Sequence, residues 1–437
     1  MSGPAATDRS DAIVIGAGVI GASVALELAR GGRSVLVVDK GPGAGTGSTS
    51  ASASIIRFSY STRDPILTAW ESAHLWRDWA GHLGGVDPDG MARFVSCPNL
   101  TFRTTGYDGA AMLAWWDRFG VPYEVLDDVE LATRFPAFET GRFYPPKPID
   151  DPAFADDPGA PLTGILCHEC GFVDDPMLAA KNLAHAAREH GARFRFGAEV
   201  VAIERDDAVR GVRLADGTTL EAPVVVNVGG PHSSIINRMA GVTDDMTISH
   251  RPLRQEVFVV PAPDGVGLAD GAPFVADVDL GQYFRPQLGG SVIIGSAEPD
   301  CDPLVWVDDP DANSPYPTVE VWETAMLRFA RRVPGFGVPT SPTGLAALYD
   351  VADDWVPIYD RSSLPGFFMA CATSGNQFKN APLAGRFMRA IIDATMSGHD
   401  HDRDPVQFRG ERTGELIDLG AFSRRRTPAT TTGTVLG

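Results

Sequence analysis

Apolar positions along the chain alternate between two periods, and the alternation predicts the elements. Asp11-Ala12-Ile13-Val14-Ile15 is a short apolar run rich in β-branched residues and reads as a buried strand. Residues 22–30 have helical composition and stop at Gly31-Gly32, and 34–38 form a second buried strand closed by Asp39. Large apolar residues at Leu67, Trp70, Leu75 and Trp79 predict a helix over 66–79, with further helices over 110–119, 177–190, 319–332 and 378–396. Strands are predicted at 193–196, 199–204, 209–214 and 218–221, with Asp216-Gly217 marking a hairpin. The run 223–228 is another buried strand, ending in Gly229-Gly230. From about 247 to 300 the period becomes two, in 256–260, 282–286 and 291–294. That change predicts an antiparallel sheet and hence a second domain. A last strand, 366–372, leads through the polar turn Thr373-Ser374-Gly375-Asn376-Gln377 into the final helix.

Punctuation between these elements carries the first chemistry. Gly16-x-Gly18-x-x-Gly21 sits between the first strand and the first helix. Gly16 permits the tight turn, Gly18 lets a pyrophosphate approach the backbone, and Gly21 lets helix and strand pack closely. The N-terminus of the helix offers free N–H groups and a positive dipole end to the phosphates. Asp39, 18 residues after Gly21, is placed to accept from ribose hydroxyls and disfavours a 2′-phosphate, so NADP is excluded while NAD and FAD both stay open. The stretch 41–54, rich in Gly, Ser and Thr, is suited to a loop that hugs a phosphate or a ring. Two Pro- and Asp-bearing stretches, 141–161 and 302–317, are expected as loops that cover a site or meet a partner, and the small polar residues after Thr427 as a disordered end.

Composition narrows the class. A chain of 437 residues is long enough for two domains, and a formal charge of −19 repels phosphate backbones, which excludes nucleic acid as a partner. Five scattered cysteines do not make a disulfide framework, and the first residues lack a basic stretch followed by an apolar one. The expected compartment is therefore the cytoplasm, with no membrane insertion. Cys167-His168-Glu169-Cys170 has no second pair at zinc spacing, so no metal site is expected, and the segment is placed on the strand leading to Gly171. His232 lies near the end of the 223–228 strand and is read as a packed histidine.

Four segments carry a resemblance: the fingerprint ending at Asp39, Ile55-Ile56-Arg57-Phe58-Ser59-Tyr60, the run 224–230, and Ser374-Gly375-Asn376-Gln377-Phe378-Lys379. In these the chain, from Asp11 to about Leu419, resembles the FAD-dependent amino-acid oxidoreductases that include D-amino-acid oxidase, glycine oxidase and monomeric sarcosine oxidase, the last branch most of all. The resemblance implies an α/β fold, with a Rossmann-like FAD-binding domain (8–92, 168–246 and 342–420) interlaced with a mostly antiparallel α+β substrate domain (93–167 and 247–341), and 421–437 as a flexible tail. It implies Arg57 and Lys379 as the two ligands of a substrate carboxylate and Tyr283 as a pocket aromatic. The implied FAD contacts are Gly16, Gly18, Val19, Gly21, Asp39, Lys40, Ser48, Thr49, Ser50, Ile56, Val200, Gly229, Gly230, Gly375, Asn376, Gln377, Phe378 and Lys379. The chain departs from the sarcosine oxidase pattern in three places. Ala347 stands where covalent branches carry a cysteine, so FAD is expected to be non-covalent. Ile293 stands where a lysine serves oxygen activation, and Ala297 where a pocket histidine falls. The implied activity is oxidation of the C–N bond of a small N-methyl, cyclic or D-amino acid or amine to an imine, by hydride transfer to flavin. Electrons pass on to O₂ or another acceptor. The alternatives are a dehydrogenase subunit that passes electrons to a quinone or protein, and a flavin-binding subunit without turnover.

Overall fold

A computed structural model describes residues 8–105 and 107–437. At its centre is a six-stranded sheet in the order Arg193–Arg195, Val35–Val38, Ala12–Ile15, Val224–Asn227, Phe367–Cys371, Ile358–Arg361, parallel except for the last pair. Its inner strands Ala12–Ile15, Val35–Val38 and Phe367–Cys371 are apolar throughout because both faces are covered, while the edge strands Arg193–Arg195 and Ile358–Arg361 carry charged residues. Ala12, Val14, Val35, Val37, Val224 and Val226 pack under the helices Val19–Arg30, Pro176–Glu189 and Ala381–Met396. The alternate residues Ile13, Ile15, Leu36, Val38 and Val225 pack against Ile203, Val212, Leu214 and Leu220 of a small four-stranded sheet on the other side. The helix Val19–Arg30, buried on every side up to Ala29, lies between the other two helices.

The second layer is an eight-stranded sheet in the order Gly344–Ala352, His250–Pro261, Ser291–Ser296, Gln282–Gln287, Phe274–Asp277, Asn99–Arg103, Thr163–Cys167, Glu124–Leu126. All its pairings are antiparallel except Phe274–Asp277 with Asn99–Arg103. Phe258, Val275, Phe284, Val292 and Ile294 bury one face under Trp322, Met326 and Phe329 of the helix Val319–Arg332. Tyr283 and Arg285, one residue off that register, belong to the opposite face.

Several elements differ from the sequence pattern. The helix expected over 66–79 is two pieces, Arg63–Arg77 and Trp79–Leu83, broken at Asp78, whose side chain leaves helical continuity to accept from Gly81 N at 3.1 Å. The strand expected at 256–260 extends over His250–Pro261, because Gly344–Ala352 pairs with residues 250–258 on one side and Ser291–Ser296 with residues 257–261 on the other. Cys167-His168-Glu169-Cys170 is not strand throughout. It turns between Thr163–Cys167 and Gly171–Val173, and His168 meets Glu124 at 2.6 Å. Residues 421–437, expected as a flexible tail, lie against the body. Arg424, 1% exposed, contacts Asp245, Asp360 and Asp402, and Arg426 takes Asp354 with two N–H groups at 2.7 and 2.8 Å. The acids that hold this segment come from distant parts of the chain, so a local composition of small polar residues does not reveal them. Among the described residues no helix is long and apolar enough to cross a membrane.

One buried ion cluster fixes the second layer. Arg332, fully buried, donates to Asp277 at 2.8 Å and Asp279 at 2.9 Å, and its remaining N–H group reaches the carbonyls of Glu139 and Gly141. Asp279 also accepts from Phe143 N at 2.7 Å and Tyr144 N at 3.0 Å, so the start of the 141–161 loop is tied to the sheet. Arg332→Met leaves two buried carboxylates without their cation and is expected to destabilise the protein by about 3–5 kcal/mol, measured by denaturant unfolding. Arg332→Lys, which lacks the planar fork, is expected to recover only part of that loss.

Candidate active site

The nucleotide end is built by the turn after the first strand. Gly16 has φ +109°, and a Cβ there would lie 2.3 Å from the Val228 carbonyl oxygen, while a Cβ on Gly21 would lie 2.0 Å from the Gly16 oxygen. The backbone can close this tightly only with glycine at both positions. Gly18, at the N-cap of the helix that begins at Val19, has no side chain to offer, and Thr49 Oγ1 accepts from Val19 N at 3.1 Å. Asp39 accepts from Ala17 N and Gly41 N, both at 2.6 Å, which holds its carboxylate beside the turn. This cradle of close backbone, a helix end with glycine at its N-cap and a fixed acid suits the pyrophosphate and ribose of FAD, and Gly16, Gly18, Val19, Gly21 and Asp39 are the residues that would hold them.

The other implied cofactor residues fall at varying distances from that turn. Ser48 donates to the Leu348 carbonyl at 2.8 Å, which ties the 41–54 loop to the eight-stranded sheet, and Ser50 closes only on Gly47. Val200 opens its strand two residues beyond Ala198, whose N–H donates to the Asp39 carbonyl at 2.9 Å. Lys40 points to the 302–317 loop, where it pairs with Asp311 and lies 2.9 Å from His232 Nε2. That contact makes His232 part of a half-exposed ion cluster rather than a packed residue, and it brings the loop to the nucleotide end. Gly229 and Gly230 follow the strand Val224–Asn227, with Gly229 N donating to Asn227 Oδ1 at 3.1 Å.

At the far end the structure brings Arg57, Lys379 and Tyr283 into one buried region. Ile56 is buried in a short strand paired with Gly171–Val173, and this strand delivers Arg57 inward. Arg57 is 5% exposed, with Nη1 on the Ser59 carbonyl and Nη2 donating to the Val435 carbonyl at 2.7 Å. Lys379, 4% exposed, donates to the Asn376 carbonyl at 2.7 Å and to Tyr60 OH at 3.1 Å. Both cations lie 5.0 Å from the centroid of the Tyr60 ring, whose hydroxyl donates to the Asn376 carbonyl at 2.6 Å. Burial, and then the Arg57 charge, hold the Lys379 ammonium well below its ordinary range, and burial lowers Arg57 as well. Two buried basic groups beside one ring make a place where a negative group is favoured.

The polar turn between the last sheet strand and the last helix positions Lys379. Ala372, Ser374 and Gly375 all have positive φ, and a Cβ on Gly375 would fall 2.4 Å from the Tyr349 ring, so only glycine admits that ring. Asn376, Gln377 and Phe378 follow. Gln377 Nε2 donates to Asn376 Oδ1 at 2.6 Å, and Phe378 stacks on Trp76, whose indole N–H donates to the Lys379 carbonyl at 2.7 Å. Burial pushes the Tyr283 and Tyr60 hydroxyls up to about 12, with Glu298 adding to the rise at Tyr283. Tyr349, Glu298 and Val435 complete this region and lie outside the four segments of the resemblance, while Tyr60 closes one of them without an implied role. Glu298 lies next to Ala297, the position where the resemblance leads to expect a histidine, and that neighbour is the only sequence signal for it.

His250 and Asp350 support the turn. His250 Nδ1 lies 2.7 Å from Asp350 Oδ1, and Asp350 Oδ2 accepts from Ala372 N at 2.6 Å. Burial disfavours the imidazolium, but the Asp350 charge and hydrogen bond, with Cys371, outweigh it and raise His250 well above its ordinary range. A raised folded value stabilises fully below about pH 6.5, the unfolded value, and is lost as pH rises through the folded one. Stability of the wild-type protein is therefore expected to fall as pH rises above about 6.5, and His250→Gln to flatten that limb, as measured by unfolding midpoints across pH.

The model of the family described as FAD dependent oxidoreductase, DAO, matches residues 11–391. FAD-dependent oxidoreductase domain-containing protein 1 of Xenopus laevis is 25% identical over 434 residues, covering 88% of this chain and 79% of that protein. Glycine oxidase of Geobacillus kaustophilus (strain HTA426) is 28% identical over 300 residues, covering 66% of this chain and 70% of that one. The solved L-proline dehydrogenase of P. horikoshii superposes with a TM-score of 0.73 at 20% identity, over 96% of this chain and 98% of that one. The chain belongs to the DAO family of FAD dependent oxidoreductases, and FAD is its cofactor.

Proposed function

We propose that the protein oxidises the C–N bond of a small α-amino acid, with N-methyl, cyclic or D-amino acids as the candidates, to an imine that water hydrolyses. The observation that carries this reading is the pair of buried basic groups, Arg57 and Lys379, each 5.0 Å from the centroid of the Tyr60 ring. An arginine with both termini directed inward suits a carboxylate, and a buried lysine adds a second positive group beside it. FAD, when bound, supplies the two-electron acceptor for the hydride that leaves the carbon beside nitrogen. The side chains contribute orientation: Arg57 and Lys379 hold the carboxylate, while Tyr283 and Tyr349 wall the pocket and exclude water. Glycine oxidase and L-proline dehydrogenase among the similar proteins support a CH–NH substrate. Ala347 in place of a linking cysteine supports a non-covalent cofactor. Ile293, buried and apolar where the resemblance leads to expect a lysine, favours an acceptor other than O₂, such as a quinone or a partner protein.

Anaerobic spectroscopy against a panel of N-methyl, cyclic and D-amino acids tests the reading. One panel member is expected to bleach the flavin, and slow recolouring in air is expected on account of Ile293. Arg57→Ala is expected to raise KM for that substrate by about a hundredfold while FAD stays bound and is released free on denaturation. Unchanged kinetics in this variant would remove Arg57 from the substrate site.

A further inference from the structure

Val435 sits between two charged groups of opposite sign. Its carbonyl oxygen accepts from Arg57 Nη2 at 2.7 Å, and its N–H donates to Glu298 Oε2 at 2.8 Å. Its side chain is 7% exposed and packs with Leu253, Val351 and Trp355, beside Tyr349. The N–H and C=O of one residue flank a single Cα, as the amino and carboxyl groups of a free α-amino acid do. Arg57 and Glu298 are thus spaced to read both ends of one α-amino-acid unit, with an apolar wall beside its side chain.

Glu298 is otherwise hard to account for. It is 6% exposed, has φ +48°, and its Oε1 has no hydrogen-bond partner among the described residues. A buried carboxyl oxygen without a partner costs stability, and it is placed where a cationic nitrogen would satisfy it. The groups facing it are Arg57, the Tyr283 and Tyr349 hydroxyls, Asp302 and the Val435 N–H. Burial drives its carboxyl up to about 8 although the Val435 N–H and Arg57 pull it down.

We propose that Glu298 receives the amino group of the substrate while Arg57 receives its carboxylate, in the place that Val435 holds. The inference rests on the amino-acid reading of the preceding subsection and adds the group that selects the nitrogen. An amino acid arrives as a zwitterion, and its ammonium must lose a proton before the carbon beside it can release a hydride, since the nitrogen lone pair stabilises the cation that forms. The Glu298 carboxylate takes that proton. One N–H bond breaks with its proton going to Glu298, one C–H bond breaks with its hydrogen and electron pair leaving together as hydride for the flavin, and the nitrogen lone pair makes the C–N bond C=N. Substrate and Val435 cannot share Arg57 and Glu298, so the segment 431–437 withdraws when substrate enters.

Binding of two amines that lack a Cα–H tests this without turnover. The amines are 2-aminoisobutyrate and 2-methylproline, and each is compared with its carbon isostere, pivalate or 1-methylcyclopentanecarboxylate, by calorimetry on the FAD-loaded full chain. The wild-type protein is expected to bind each amine at least about tenfold tighter than its isostere at about pH 9. The amine affinity is expected to rise between about pH 7 and 9, as Glu298 ionises. Glu298→Gln is expected to erase both the preference and the pH limb while leaving the isosteres' affinity unchanged, and that unchanged affinity shows that the variant is folded. Loss of affinity for amine and isostere alike, or an amine preference that survives in Glu298→Gln, would overturn the assignment while leaving the carboxylate site at Arg57 standing. Failure of the wild-type protein to bind any of the four compounds would reject the amino-acid reading itself, and the role of Glu298 with it.

Discussion

Asp350 is the joint on which the two layers depend. It lies in the edge strand Gly344–Ala352 of the eight-stranded sheet, and its carboxylate accepts from Ala372 N at 2.6 Å and faces His250 at 2.7 Å. Its own carbonyl accepts from Ser374 N at 2.7 Å. One residue of the second sheet thus holds both sides of the turn that leaves the first. Ala372 and Ser374 both have positive φ, a conformation that costs roughly 1–3 kcal/mol for a residue with a side chain, and the charge-assisted bond of Ala372 N to the Asp350 carboxylate and the bond of Ser374 N to the Asp350 carbonyl offset it. Without that restraint the turn would relax, and the Asn376 carbonyl, which accepts from both Lys379 and Tyr60, would lose its place.

The site is a region where electrostatic cost is concentrated and then shared. Arg57, Lys379 and Glu298 are each almost fully buried, and burial is the largest influence on the ionisation of each. A cation, a second cation driven towards neutrality and a carboxyl driven upward form a set whose net charge is easily changed. A zwitterion brings one negative and one positive group to such a set and leaves the total unaltered, so charge balance suits an amino acid better than a plain amine or a plain acid.

The nucleotide half was legible in the sequence because its signals are local. A strand, three glycines at fixed spacing, a helix and an acid lie within 30 residues, and each element constrains the next. The helices over 110–119 and 319–332 were equally plain, since apolar spacing and a flanking glycine or capping position suffice. Glu298, Tyr349 and Val435 were not legible. Each is an ordinary residue in a strand, a loop or a terminal segment; Glu298 and Val435 join the site through contacts with chain more than a hundred residues away, between Glu298 and Val435 and between Arg57 and Val435, and Tyr349 through the space that Gly375 leaves for its ring. The end of the chain was misread for the same reason. Polar, small residues score as disorder unless the acids that bind Arg424 and Arg426 are already known to be nearby.

Those two arginines also decide what kind of competitor the last segment is. Arg424, Arg426 and the contact of Ala429 N with Asp354 Oδ2 at 3.0 Å fix the chain just before Thr431, whose hydroxyl donates to the Asp354 carbonyl at 3.0 Å. Only residues 432–434 then separate Thr431 from Val435 in the pocket. A ligand on so short a tether acts at an effective concentration of the order of millimolar, because its binding is intramolecular. Its own hold is weak: neutral peptide groups meet Arg57 and Glu298 where a zwitterion would present full charges, and charge-assisted bonds are about twice as strong as neutral ones. The segment therefore shields buried charges that would otherwise lack partners, and it discriminates against any small molecule that cannot offer an anion and a cation on neighbouring atoms.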